Sequence, residues 1–347
     1  MAFRVGVVGY GLSGSAFHAP IISVVPGLAL AAIVTSNPDK VKQRYRDVVT
    51  YKSYEQLLQD RSIDVVVVTT PTFTHFEYAQ SAIRHGKHVI VEKPFTVTTA
   101  EADELIALAH DGGVLLSVYQ NRRFDNDFLT VKEIVQTNLL GNLAIFESHM
   151  DRFRPIVQDR WKEHNKPGSG TLYDLGSHLI DQALLLFGIP NTVFADVGRQ
   201  RPGAQTDDYF HMVLGYDTLR VILQSGTLVK QSGPRFTLHG SKGSFTKFGL
   251  DPQEDALRSG SQPYIPQWGE ESETLYGELV TQLGNISLKG KVATQAGRYQ
   301  SYYEGIVHAL KGEGPAPVLA QEARNVIQVI EWAMESHQQQ RTVQITQ

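Results

Sequence analysis

Gly9-Tyr10-Gly11-Leu12-Ser13-Gly14 follows an apolar strand, and His88-Val89-Ile90-Val91-Glu92-Lys93-Pro94 comes later in the chain. Glycine at 9 and 11 lets the backbone approach a pyrophosphate, and Gly14 lets the next helix pack closely on the strand. Free N–H groups at the helix start, around Leu12 and Ser13, would meet the phosphate charge. The second run reads as a buried strand whose tip carries Glu92 and Lys93 where an apolar end is expected. Strand tips of a parallel sheet share the edge at which ligands bind. A dinucleotide turn and a cation at one sheet edge suit hydride chemistry, in which a fixed charge stabilises a developing alkoxide. Pro94 restricts Lys93 to extended backbone. The plainer alternative is a surface lysine paired with Glu92.

A second constellation is Gly168-Ser169-Gly170-Thr171-Leu172-Tyr173-Asp174-Leu175-Gly176-Ser177-His178. Leu172, Leu175, Leu179 and Ile180 suit one helical face, and Asp174 and His178 are spaced to lie one above the other. A carboxylate beside an imidazole favours its protonated form and fixes its orientation, as general acid–base work needs. The same spacing can ligate zinc, with His149 or Asp151 completing the set. A nicotinamide already accepts electrons, so no metal is expected. Spacing alone favours a solvent-facing helix pair, and Asp181 reads as structural.

Residues at the second strand's tip choose the cofactor. A carboxylate there binds both ribose hydroxyls of NAD and repels a 2′-phosphate. The chain instead has Ser36 and Asn37, which can donate to a phosphate, and Lys40, which adds charge. No arginine stands where NADP enzymes often place one. NADP is therefore favoured over NAD. Two other strands also end in polar residues, at Thr70-Pro71 and at Asn121. His75 reads as a helix cap, a cofactor contact or a satisfied structural histidine.

Positioning these residues requires alternating elements. Phe3–Val8, Leu28–Thr35, Ile63–Thr69, Val89–Val91 and Val114–Tyr119 read as strands. Helices fall at Ser15–Val25, from Pro38, and at Tyr54–Gln59, Phe76–His85 and Thr99–His110. The pattern predicts a doubly wound parallel sheet over residues 1–122. Beyond it, strands of mixed polarity at Leu143–Met150, Phe210–Tyr216, Arg220–Leu228, Phe236–His239 and Ser244–Lys247 imply an open, largely antiparallel sheet. Helices are expected at Phe128–Gln136 and Tyr299–Leu310, and from Ala320 to about Ser336. Residues 251–298 read as polar and turn-rich. The whole is an α/β protein with an α+β domain over 123–347.

At 347 residues the chain is longer than one core usually serves, and its 41% apolar, 20% charged composition is that of a globular protein. A net charge of −4 argues against nucleic-acid and anionic-membrane partners. The absence of cysteine excludes disulfides and thiolate metal sites. No signal segment and no apolar run of membrane-spanning length is visible, so a cytoplasmic location is expected.

Taken together, GYGLSG, Thr70-Pro71 with His75, the GKHVIVEKP run and Asp174 with His178 resemble the Gfo/Idh/MocA oxidoreductases over nearly the whole chain. The resemblance implies a Rossmann domain followed by a substrate-binding and oligomerisation domain. It places the catalytic lysine on Lys93 and the aspartate and histidine on Asp174 and His178, expected to converge on the nicotinamide. It also implies a cis Lys93–Pro94 bond. Asn121–Asp125, Asp151–Pro155 and Arg160–Lys162 are similar to bacterial scyllo-inositol dehydrogenases, which include NADP- and NAD-using members. Trp161 and Lys162 would then lie near the nicotinamide, and Asn121, Asp151 and Tyr173 would contact substrate. The implied activity is hydride transfer at a secondary hydroxyl of a cyclic polyol or sugar, in a homodimer or homotetramer. A dinucleotide-binding sensor and an NAD-dependent glycosidase share the fold. The first typically lacks the lysine or the Asp–His pair, and secreted examples of the second carry an export signal.

Overall fold

The computed structural model describes residues 2–346 and divides into two compact units. Of these residues, the first unit holds those up to 121 with 253–268 and 298–324, and the second holds 122–252, 269–297 and those from 325 on. Two segments from the later half of the chain therefore belong to the first unit.

Six strands form the first unit's sheet: β1 (Phe3–Val8), β2 (Leu28–Val34), β3 (Val49–Tyr51), β4 (Val65–Val68), β5 (His88–Val91) and β6 (Leu116–Val118). All neighbours are parallel, in the order β3-β2-β1-β4-β5-β6. Helices cover a parallel sheet on both faces, so its central strands are apolar throughout. All four valines of β4 are fully buried, each contributing about 1.5–3 kcal/mol. Strand order reverses between β1 and β4, and the crevice at such a reversal is where ligands bind. The glycine turn leaves β1 there, and Thr69-Thr70-Pro71 leaves β4.

Between β1 and β2 the expected helix over Ser15–Val25 is replaced by a wide π-type turn, Ser13–His18, and one α-turn, Ala19–Ile22. Pro20 is the cause: it has no N–H to donate to the carbonyl of Ala16, and its ring crowds that carbonyl. Thr98 accepts from the N–H of Glu101 and caps the Thr99–Asp111 helix, while Glu101 reaches back to the Thr98 N–H. The returning segments are tied in by Tyr302, which donates to Ser117 at 2.9 Å, and by Ser117, which donates to the Val318 carbonyl at 2.7 Å.

Nine strands form the second unit's sheet: β7 (Leu143–His149), β8 (Thr192–Gly198), β9 (Tyr209–Gly215), β10 (Arg220–Gly226), β11 (Phe236–Gly240), β12 (Gly243–Lys247), β13 (Gly277–Leu283), β14 (Ile286–Val292) and β15 (Val343–Gln344). They run in the order β14-β13-β12-β11-β7-β10-β9-β8-β15. Only β7 and β10 pair in parallel. On β9, Phe210, Met212 and Leu214 are fully buried, as alternation requires. The other face leaves Phe194 and Val280 exposed. Residues 251–298, read as turn-rich, contain the Gln253–Arg258 helix and the β13–β14 hairpin. Among the described residues no helix is long and apolar enough to cross a membrane.

Candidate active site

In the first unit Gly9 has φ +100°, a conformation a side chain would strain. A Cβ on Gly14 would stand 2.1 Å from the Gly9 carbonyl oxygen, so only glycine fits. Gly11 is different, because a Cβ there would meet nothing within 4 Å. The turn therefore presents bare backbone to open space at the topological switch, a shape that fits a dinucleotide pyrophosphate.

Ser13 donates to the carboxylate of Glu92, whose Oε1 also lies 2.9 Å from His18 Nε2. His18 Nδ1 in turn lies 2.5 Å from the Tyr303 hydroxyl. The other oxygen, Oε2, accepts from the backbone N–H of Lys93 at 2.9 Å. Burial pushes the Glu92 carboxyl up, but the His18 and Ser13 hydrogen bonds and the His18 and Lys93 charges pull it down to about 2. Glu92 is thus a buried anion that joins the glycine turn to the Lys93 loop, which differs from a surface partner for Lys93.

His75 is also buried. Its Nε2 lies 2.9 Å from the Thr70 carbonyl, and its Nδ1 lies 2.9 Å from the Pro94 carbonyl. It fastens the Thr70-Pro71 loop to the turn that carries Lys93, and the Lys93–Pro94 bond is cis. Burial lowers the imidazole's pKa, although the carbonyl contacts favour its protonated form. At the tip of β2, Ser36 is exposed and the Asn37 side chain accepts from the Lys40 N–H at 3.2 Å. The Lys40 ammonium stands 5.5 Å from the centre of the Tyr10 ring. Asn121 is buried just beyond β6.

In the second unit Asp174 sits in a wide turn, Leu172–Gly176, that leads into the Ser177–Phe187 α-helix. The turn is π-type, so the four-residue spacing to His178 is not that of a regular α-helix; such turns are common at functional sites. Lys162 donates to Asp174 Oδ1 at 2.6 Å, and Arg152 approaches Oδ2 at 3.5 Å. Lys162 also lies 5.7 Å from the centre of the Trp161 ring. His178 is buried at the helix start, and Tyr173 is half-buried. Asp151 accepts from the Gly226 N–H at 2.9 Å; burial raises its pKa, while that bond and His149 oppose the rise. Among the described residues no three His, Asp or Glu side chains cluster as metal ligands.

Lys93, Glu92, the glycine turn, the β2 tip, His75 and Asn121 thus belong to the first unit, and Asp151, Trp161, Lys162, Tyr173, Asp174 and His178 to the second. Sequence reasoning missed Asp207, which accepts from the Leu172 N–H at 2.7 Å and anchors the turn that carries Asp174. Its signal was slight, a pair of acids between glycine and a strand. Asp181 forms a buried two-bond pair with Arg123, at 2.8 and 2.7 Å, a structural role.

Residues 3–120 match the family model described as oxidoreductase family, NAD-binding Rossmann fold. Residues 132–345 match that of the oxidoreductase family, C-terminal alpha/beta domain. The chain is 43% identical to scyllo-inositol 2-dehydrogenase (NADP(+)) IolW of Bacillus subtilis, covering 99% of this chain and 96% of that one. It is 45% identical to the uncharacterized oxidoreductase YdgJ of Escherichia coli, over 98% of each. Among solved structures, an oxidoreductase from Yersinia pestis superposes with TM-score 0.95 at 44% identity, covering 100% of this chain and 98% of that one.

Proposed function

The chain belongs to the Gfo/Idh/MocA oxidoreductase family, and from that premise we propose that it is an NADP-linked dehydrogenase of a secondary hydroxyl on a cyclic polyol, with scyllo-inositol or its ketone as substrate. The observation that carries the substrate and the cofactor is the 43% identity, over 99% of the chain, to a scyllo-inositol 2-dehydrogenase that uses NADP. The absence of a carboxylate at Ser36 and Asn37 supports the same cofactor.

In this reading Gly9, Gly11 and Gly14 shape the backbone that holds the pyrophosphate, and Ser36 and Lys40 face the adenosine ribose. Thr70-Pro71 and Asn121 flank the dinucleotide. When bound, the nicotinamide supplies the two-electron acceptor. Lys93 holds positive charge at the substrate oxygen, where a fixed cation counts most as alkoxide character develops. His178 takes the hydroxyl proton and returns it in the reverse direction. Asp174, held by Lys162, binds a neighbouring hydroxyl and orients the base, with Asp151 and Tyr173 as further substrate contacts.

Mixing the protein with scyllo-inositol, myo-inositol or glucose and either oxidised cofactor tests this by nicotinamide absorbance. Stoichiometric reduction with scyllo-inositol, faster with NADP, is expected. Turnover of an open-chain or aromatic alcohol with no cyclic polyol oxidised would overturn the substrate reading.

A further inference from the structure

Beside the glycine turn the first unit holds a cavity of about 580 Å³, within the range of small-molecule sites. Tyr10 and Leu12 of the glycine turn form one side, Lys40 and Arg44 beyond β2 another, and Leu257 and Arg258 a third. Three cations therefore line it, and no carboxylate does. Leu257 and Arg258 come from the returning 253–268 segment, far from the glycine turn in sequence.

We propose that Arg44 and Arg258 complete, with Lys40, a clamp for the adenosine 2′-phosphate of NADP. The proposal rests on the dehydrogenase reading for the presence of a dinucleotide and adds the residues that choose between its two forms. The cavity adjoins both parts of the chain that such an adenosine must touch, the glycine turn and the segment after the β2 tip. A phosphate monoester brings about −1.5 to −2 charges, which three cations can match. Arg44 also acts electrostatically on Tyr10, whose hydroxyl pKa is raised by burial and lowered by that guanidinium.

Arg258 is held by Glu254, whose Oε1 accepts from Nε at 3.1 Å and from Nη2 at 2.7 Å. Both bonds use one edge of the guanidinium. A planar fork braced on one side loses little freedom when its other donors bind an oxyanion. Glu254 offsets part of the charge, yet it stands outside the lining, and the balance still favours an anion.

Adenosine 2′,5′-bisphosphate and adenosine 5′-monophosphate differ only in the 2′-phosphate, so calorimetry with the two probes isolates the clamp without needing turnover. The unaltered protein should bind the bisphosphate at least about ten-fold more tightly, as a charge-assisted contact implies. Arg258→Gln and Arg44→Gln should each reduce that preference by about ten-fold, and Arg258→Lys should restore part of it. Added salt should narrow the difference, because the cations are exposed. Equal loss for both probes, or an unchanged preference, would overturn the assignment. A protein that keeps the preference but oxidises no polyol would support the clamp and refute the substrate reading instead.

Discussion

Lys162 donates to the carboxylate of Asp174 at 2.6 Å, one turn ahead of His178, so the group expected to orient the base is itself held by a cation. Lys162→Met should therefore lower turnover by about ten-fold while stability changes by less than about 1 kcal/mol, because the pair is partly exposed. Steady-state rates beside thermal unfolding midpoints check this. A variant that loses stability in proportion to activity would show that the lysine only supports the fold.

The glycine turn separates a structural requirement from a functional one. Gly14→Ala drives a methyl into the Gly9 carbonyl and should destabilise the first unit by about 1–3 kcal/mol. Gly11→Ala meets no protein atom, so its unfolding midpoint should stay near that of the unaltered protein. Its methyl would instead occupy the space assigned to the pyrophosphate, and dinucleotide affinity should fall by at least about ten-fold. Unchanged affinity in a well-folded Gly11→Ala would place the pyrophosphate elsewhere.

The sequence shows the first sheet well because β1 and β4 are apolar runs between turn signals, the pattern of strands buried on both faces. The three-residue strand Val49–Tyr51 escapes notice, since pairing with β2, and not its own composition, makes it a strand. The hairpin β13–β14 hides for another reason. Ile286–Val292 is exposed along almost its whole length, and Lys289 and Lys291 interrupt the apolar pattern. The glycine turn is legible from its residue types and spacing, whereas Lys93, Asp174 and His178 stand in the sequence as candidates for chemistry. Arg258 was not, because nothing in local sequence brings the 253–268 segment beside the glycine turn. Asp207 was hidden similarly, because its hydrogen bond to Leu172 joins distant parts of the chain.

Asp207 also has a pH signature. Burial raises its carboxyl to about 6, only partly offset by the N–H of Leu172. An unfolded aspartate titrates near 3.9, so between about 3.9 and 6 the folded protein binds more protons than the unfolded chain. The group's contribution is fully present below the lower value and is lost as pH rises through the upper one. Asp207→Asn removes this dependence, so the variant should gain stability relative to the unaltered protein between pH 4 and 7. Melting both proteins across that range checks the sign, and a relative loss as pH rises would contradict it.

The central claim is that Lys93 and His178 carry out the chemistry, and it is tested most directly by the turnover of His178→Ala with scyllo-inositol and saturating NADP. Loss of a positioned general base costs about two to four orders of magnitude, so kcat should fall by that much while dinucleotide affinity stays within a few-fold. The Lys93→Ala variant should fall comparably, with its binding likewise preserved. A His178→Ala enzyme that keeps full turnover would contradict the account, because the proton would then leave the hydroxyl by a route that does not pass through His178.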